Sequence, residues 1–167
     1  EFDPDPKLAI DINAFAERNN GGLVNMSILE EIDNNISDLM VKNYEARYVR
    51  DILDILSPAR VSAYDSWTSI IRILAWTNPD YKPLAIRFSL RDPKSWMNNG
   101  AAQLESNWQW ALKNPCKDVN SNQQSINTLY HWTKLDNPKM YMQIQSINIF
   151  TDLHKKLTEN HGKLHES

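Results

Sequence analysis

Apolar residues between Asp51 and Lys94 recur with the spacing of α-helices, and this spacing limits the folds that are open to the chain. Ser57-Pro58 divides the stretch, because the residue before a proline is driven away from helical backbone angles. Nothing in the chain alternates convincingly between apolar and polar residues with the period of two that is typical of a half-buried strand. The sequence therefore predicts an all-α fold, a helical bundle of about seven or eight helices with no sheet.

Prolines and capping residues set the predicted helix boundaries along the whole chain. The predicted helices cover about residues 6–19, 25–40, 44–56, 62–77, 80–91, 101–113, 125–134 and 139–157. Ser62 is predicted to cap the fourth helix, which is expected to form the centre of the bundle. Asp51 and Asp54 are placed on the outward face of the third helix. Residues 94–100 are predicted to be a loop, and residues 114–124 a polar connector.

Length and composition favour one compact domain with appended helices. The chain has 167 residues, of which 41% are hydrophobic and 23% charged, values that are typical of globular proteins. No run of about 18 apolar residues is present, so no membrane segment is expected. Cys116 is the only cysteine, which favours a reducing, intracellular compartment. The predicted parts are an acidic helical segment (1–43), a bundle (44–139) and a C-terminal helix (140–167).

Charge is distributed unevenly along the chain. Residues 1–57 contain five Lys or Arg against twelve Asp or Glu, whereas residues 58–139 contain ten against six and all six tryptophans. Cations for phosphates and aromatic rings for bases are the combination that single-stranded nucleic-acid binding uses. The alternative is that the cations only solubilise the surface and the tryptophans only fill the core, because the positive excess is modest.

Motifs for catalysis are absent from the sequence. None of the four glycines belongs to a GxxxxGK phosphate loop. His154, His161 and His165 have a spacing that one helix face could share, but they are interpreted as solvated residues of the tail. Cys116 and His131 lack a third group that would make them a nucleophile and base. We therefore predict no catalytic residue, no metal ligand and no cofactor within this chain.

Five short segments between Leu53 and Lys139 occur in an order that is typical of one protein family. They are Leu53-Asp54-Ile55-Leu56-Ser57-Pro58 with Arg60, Tyr64-Asp65-Ser66-Trp67, Phe88-Ser89-Leu90-Arg91-Asp92-Pro93, Trp108, and Ile126-Asn127-Thr128-Leu129-Tyr130-His131-Trp132-Thr133-Lys134. Together they resemble the helical primase C-terminal domain (the PriCT type) of primase–helicases of large DNA viruses, phages and mobile plasmids. The resemblance covers a little over half the chain. Ile71 and Asn127 depart from it, because the family has small residues there.

The resemblance implies a non-catalytic module between a polymerase-like primase core and a ring-forming helicase. Such a module helps to hold single-stranded template DNA, primer-template or incoming nucleotide during primer initiation. ATP or another NTP and Mg²⁺ would then bind to other parts of the parent protein. The expected partners are the DNA and the adjacent primase and helicase domains, at a viral or plasmid replication site in the host cell.

Seven residues are candidates for contact with DNA or nucleotide. Trp96 is the candidate for stacking on a base, because it lies in a predicted polar loop. The candidates for phosphate contact are Arg60, Arg87, Arg91, Lys94, Lys134 and Lys139. Trp67, Trp108 and Trp132 are predicted to be core residues instead. A protein–protein adaptor or oligomerisation module, docking through its acidic N-terminal helices, is the alternative function.

Overall fold

The computed structural model describes residues 26–116 and 124–166, and the side chains of residues 29–116 and 124–160. Within these ranges the chain forms eight α-helices of at least five residues and no strand, which confirms the predicted all-α fold. The helices are α1 (Met26–Lys42), α2 (Tyr44–Ile55), α3 (Pro58–Ser62), α4 (Tyr64–Thr77), α5 (Lys82–Ser89), α6 (Ala101–Lys113), α7 (Ile126–Asp136) and α8 (Pro138–Glu166). The helix predicted before residue 20 and residues 117–123 of the predicted connector lie outside the described ranges.

Side-chain caps fix the start of several helices. Asn43 Oδ1 accepts a hydrogen bond from the Glu45 amide at the start of α2 (3.0 Å). Ser125 caps α7 through a reciprocal pair of hydrogen bonds with Thr128.

The predicted start of the fourth helix at Ser62 is wrong. Ser62 ends α3, and the residue that precedes α4 is Ala63, whose backbone is extended (φ −79°, ψ 121°). Pro58 lies in the first turn of α3, and the Ser57 hydroxyl caps it by accepting from the Ala59 amide. These two signals start a separate short helix, because proline is favourable at a helix start.

Helix α4 lies at the centre of the bundle, as the sequence predicted. It packs against α3, α5, α6 and α7. Ile70, Ile71 and Leu74 are fully buried there, and each such side chain contributes roughly 1.5–3 kcal/mol to folding. Trp67 and Trp108 are buried as predicted, whereas Trp132 is half-buried and packs against the same core.

Two acids of α2 are buried, which contradicts the prediction that they face outward. Asp51 is 5% exposed and Asp54 is 1% exposed. Arg50 forms an ion pair with Asp51 (3.0 Å), and Arg87 of α5 forms one with Asp54 (3.1 Å). A buried carboxylate is tolerated when a guanidinium pairs with it, and the Arg87 partner comes from a distant part of the chain.

The first and last described helices share the core of the bundle. Ile36 and Leu39 of α1 and Ile144 of α8 belong to the same buried cluster as the residues of α2 and α4. Helix α8 continues to Glu166, beyond its predicted end near residue 157. The part boundaries proposed after residues 43 and 139 stay predictions.

Candidate nucleic-acid interface

Arg60 joins α3 to the end of α7. Its Nε and Nη2 each donate to one carboxylate oxygen of Asp136, both at 3.1 Å, and its guanidinium lies 4.6 Å from the centre of the Trp132 ring. The Ser57 amide donates to the same carboxylate (3.0 Å). Asp136 therefore receives bonds from two points near the start of α3, and the Arg60 guanidinium has a structural role.

The Asp136 contact predicts a loss of stability in acid. Burial disfavours the Asp136 carboxylate, but hydrogen bonds from Arg60 and Ser57 outweigh burial and hold its pKa below the usual value. The stabilisation is therefore present above the unfolded pKa and is lost as the pH falls through the folded pKa. We expect Asp136→Asn to lower the free energy of unfolding by about 1–3 kcal/mol at pH 7. The difference in stability between this variant and the wild type should be smaller at pH 3.

Urea denaturation between pH 7 and pH 3 measures this difference. Asp65→Asn is the matched control, because Asp65 is an exposed acid in the first turn of α4. An Asp136→Asn variant with the same stability profile as the control would show that the Arg60 contact contributes nothing.

Arg87 projects from α5 towards two acids. Its Nε and Nη2 donate to the two carboxylate oxygens of Asp54 (3.3 and 3.1 Å), and its Nη1 lies 3.6 Å from Asp33 of α1. Burial raises the pKa of Asp54, and the Arg87 guanidinium is the main group that opposes this shift. The side chain of Arg87 is thus engaged between α1, α2 and α5.

Arg91 binds the end of α2. Its Nη1 donates to the Leu53 carbonyl oxygen and its Nη2 donates to the Leu56 carbonyl oxygen, both at 2.6 Å. The last carbonyl groups of a helix have no partner within the helix, so the guanidinium acts as a cap. Burial lowers the pKa of Arg91, and Asp54 opposes that shift. Phosphate contact by Arg60, Arg87 and Arg91 stays a prediction, and their strongest observed contacts lie inside the bundle.

Three candidate lysines have exposed side chains. Lys94 lies in the helical turn that follows α5, Lys134 lies in the last turn of α7, and Lys139 lies at the start of α8. Within the described part of the chain, no ion pair involves these three lysines. They are therefore better placed for phosphates than the three arginines, although DNA contact at these positions also stays a prediction.

The segment around Trp96 is helical, so the predicted loop is wrong. Pro93–Ser95 and Trp96–Gly100 form helical turns, and Asn99 adopts a left-handed backbone (φ 66°) where they end. Gly100 is buried, and a Cβ there would lie 2.7 Å from the Ser95 carbonyl oxygen, so the tight turn requires glycine. Trp96 is consequently half-buried against the core and not fully exposed.

Trp96 lines a pocket of 240 Å³ that combines aromatic and polar side chains. Among its lining residues are Ser62, Tyr64, Trp67, Asp92, Trp96 and Gln103. Burial disfavours the Asp92 carboxylate, but hydrogen bonds from Ser95 and Ser62 outweigh burial and hold its pKa below the usual value. The pocket therefore offers a charged acceptor beside aromatic rings, which suits a flat ligand that carries N–H groups.

Arg72 and Trp110 form a cation–aromatic pair that the sequence interpretation missed. The Arg72 guanidinium lies 4.0 Å from the centre of the Trp110 ring, and its Nε donates to Asn107 Oδ1 (3.2 Å). Trp110 is 43% exposed. Its position was predictable, because Trp108 faces the core and a residue two places further along a helix lies about 200° around the axis.

Neither a metal cluster nor a membrane segment is found in the described part of the chain. Its side chains include no group of three or more His, Cys, Asp or Glu that could hold a metal ion. None of the described helices combines the length and the apolar character needed to cross a bilayer. His161 and His165 lie outside the described side chains.

These features define a helical module with a mixed cationic and aromatic surface. No family model matches the chain. The chain is similar to a segment of the protein named "Putative primase C962R" in African swine fever virus, with 30% identity over 132 residues for both the isolate Warthog/Namibia/Wart80/1980 and the Vero-adapted strain Badajoz 1971. The match covers 79% of this chain and 13% of each relative, so the chain spans only a small part of the length of these relatives. The more specific PriCT resemblance stays a prediction.

Proposed function

We propose that the chain is a non-catalytic accessory domain of a DNA primase–helicase. In this proposal it positions single-stranded template DNA or nucleotide for primer initiation and links the primase to the helicase. The observation that carries the proposal is the similarity over 132 residues to a segment of a viral protein that is named as a primase. The adjacent domains of the parent protein would bind the NTP and Mg²⁺ and perform the chemistry.

A domain that only positions its ligands can still contribute to primer initiation. Primer initiation requires a template strand and two nucleotides to be held together, and the entropic cost of this arrangement is reduced by binding them in fixed geometry. The exposed lysines Lys94, Lys134 and Lys139 supply cations for phosphates, and the pocket at Trp96 supplies aromatic surface. These features support binding without a catalytic centre in this chain.

Fluorescence anisotropy of labelled oligothymidine across a salt series tests the proposal. We expect micromolar binding that weakens as salt rises, because bound cations release counterions from the phosphates. Replacing Lys94, Lys134 and Lys139 together by glutamine should weaken binding and lower the salt slope by roughly 0.7 for each phosphate contact that is lost. Lys156→Gln on α8 is the control, since Lys156 is exposed and pairs with Asp152. Absence of salt-sensitive binding at micromolar protein would contradict the proposal.

The exposed acids of α1 support a second function. Glu30, Glu31 and Asp38 are exposed, which suits a protein–protein adaptor that docks a basic partner or a neighbouring subunit. Concentration-dependent self-association that salt weakens, without DNA binding, would favour this function over the first.

A further inference from the structure

Helices α4 and α6 lie side by side and run in the same direction. Trp67 and Gln103 line one pocket near the two N-terminal ends, and Arg72 contacts Asn107 further along. Near the C-terminal ends, Trp76 Nε1 donates to the Ala111 carbonyl oxygen (3.1 Å). The residue numbers of both helices rise together along these contacts, so the line where the two helices meet forms one continuous seam.

Aromatic and polar side chains follow this seam. Arg72 and Trp76 are four residues apart, which places them on one face of α4, and Tyr64 lines the same pocket as Gln103 of α6. Tyr64 is 59% exposed at one end, and Trp110 is exposed at the other. The distance along α4 from Tyr64 to Trp76 is about 18 Å at 1.5 Å per residue. The seam is therefore long enough for several nucleotides of an extended strand.

Arg72 differs from Arg60, Arg87 and Arg91, whose guanidinium groups bind partners with both Nε and Nη or with both Nη atoms. Its hydrogen bond to Asn107 uses only Nε, and its guanidinium is stacked on Trp110. Its terminal nitrogens take part in none of the hydrogen bonds or ion pairs of the described residues, so their N–H groups can donate to a phosphate. Glu105, the acid of α6, pairs instead with Lys82 of α5. Arg72 is thus a cation with a fixed position, and its terminal N–H groups remain available as hydrogen-bond donors.

We propose that the seam between α4 and α6 binds single-stranded DNA. One base stacks on the exposed ring of Trp110, the terminal nitrogens of Arg72 bind a neighbouring phosphate, and the strand continues towards the pocket at Tyr64 and Trp96. This inference rests on the proposed function and states which surface the DNA strand follows. Because every base has a face that can stack, the Trp110 contact is expected to tolerate different sequences.

Substitutions in the seam test this path by the same anisotropy measurement. Trp110→Ala should weaken oligothymidine binding about tenfold or more, and Trp110→Phe should weaken it less, because base–aromatic stacking contributes about 1–3 kcal/mol per base. Leu112→Ala is the matched control, since it removes another half-exposed apolar side chain from α6 (40% exposed). Arg72→Gln should lower the salt slope by about 0.7, whereas Lys82→Gln, with the same change in net charge, should leave it unchanged.

Photo-crosslinking gives a readout that does not require a variant to fold. An oligonucleotide that contains 5-iododeoxyuridine should cross-link to peptides that include Trp110 or Trp96 in the wild-type chain. The wild type could bind the oligonucleotide while Trp110→Ala and Arg72→Gln bind it equally well and the cross-links form elsewhere. This result would overturn the binding of DNA along the seam, and the proposed function would stand. Absence of any salt-sensitive binding by the wild type would overturn both.

Discussion

Replacement of Arg87 by methionine is expected to lower the free energy of unfolding by about 3–5 kcal/mol. Methionine keeps much of the aliphatic length of the side chain but removes the guanidinium that binds Asp54. The Asp54 side chain is 2% exposed, so its carboxylate would remain buried without its main cation. Because domains of this size are stable by only about 5–15 kcal/mol, urea denaturation should detect this loss readily.

The pH dependence of the Arg87→Met variant distinguishes a lost ion pair from lost packing. Burial already raises the pKa of Asp54, and removal of Arg87 should raise it further. A carboxyl whose folded pKa lies above its unfolded pKa stabilises the fold least at high pH, so the variant should regain stability as the pH falls through the folded pKa. A variant that shows the same loss at pH 7 and at pH 4 would contradict the ion-pair account.

A double-mutant cycle supplies the matched control. Asp54→Asn in the Arg87→Met background removes the uncompensated charge at nearly constant volume, so the double variant should be more stable than Arg87→Met alone. Coupling between residues in direct contact is commonly about 0.5–3 kcal/mol. Additive effects of the two substitutions would show that the pair is not coupled.

Most of the fold was predictable from local sequence signals. Pro79 and Pro138 mark helix starts, and Ser125 is a cap of a type that the sequence shows directly. The broad apolar face around Ile70 and Ile71 identified the central helix. Helix α3 was missed, because Ser57-Pro58 was interpreted only as the end of the preceding helix, whereas these residues also cap and begin α3.

The candidate site was less predictable, because it depends on which charges meet in three dimensions. Arg60 and Asp136 are 76 residues apart in sequence, and their contact depends on how α3 packs on α7. An arginine beside an apolar stripe has the same local pattern whether it caps a buried carbonyl group or faces solvent. The outward position of Trp110 could be predicted from its spacing to Trp108. Its contact with Arg72 could not, because that contact depends on how two helices pack.

Substitution of Arg91 is the second change that is expected to lower stability strongly. This loss of stability affects how DNA binding must be tested. Arg91→Met should lower the free energy of unfolding by about 2–4 kcal/mol, because it removes two charge-assisted hydrogen bonds from the last carbonyl groups of α2. Arg91→Lys should recover only part of this loss, since an ammonium group lacks the planar fork that reaches both carbonyl oxygens. Thermal and urea denaturation measure the two variants.

Lys94→Met is the matched control for Arg91, because Lys94 is an exposed cation three residues further along the chain. Its stability should remain within about 0.5 kcal/mol of the wild type. If Arg91→Met were as stable as this control yet bound DNA more weakly than the wild type, Arg91 would contact DNA and the capping role would be wrong. If Arg91→Met loses stability as expected, a loss of DNA binding in that variant can arise from the disturbed end of α2, and Lys94, Arg72 and Trp110 become the positions where the interface is tested.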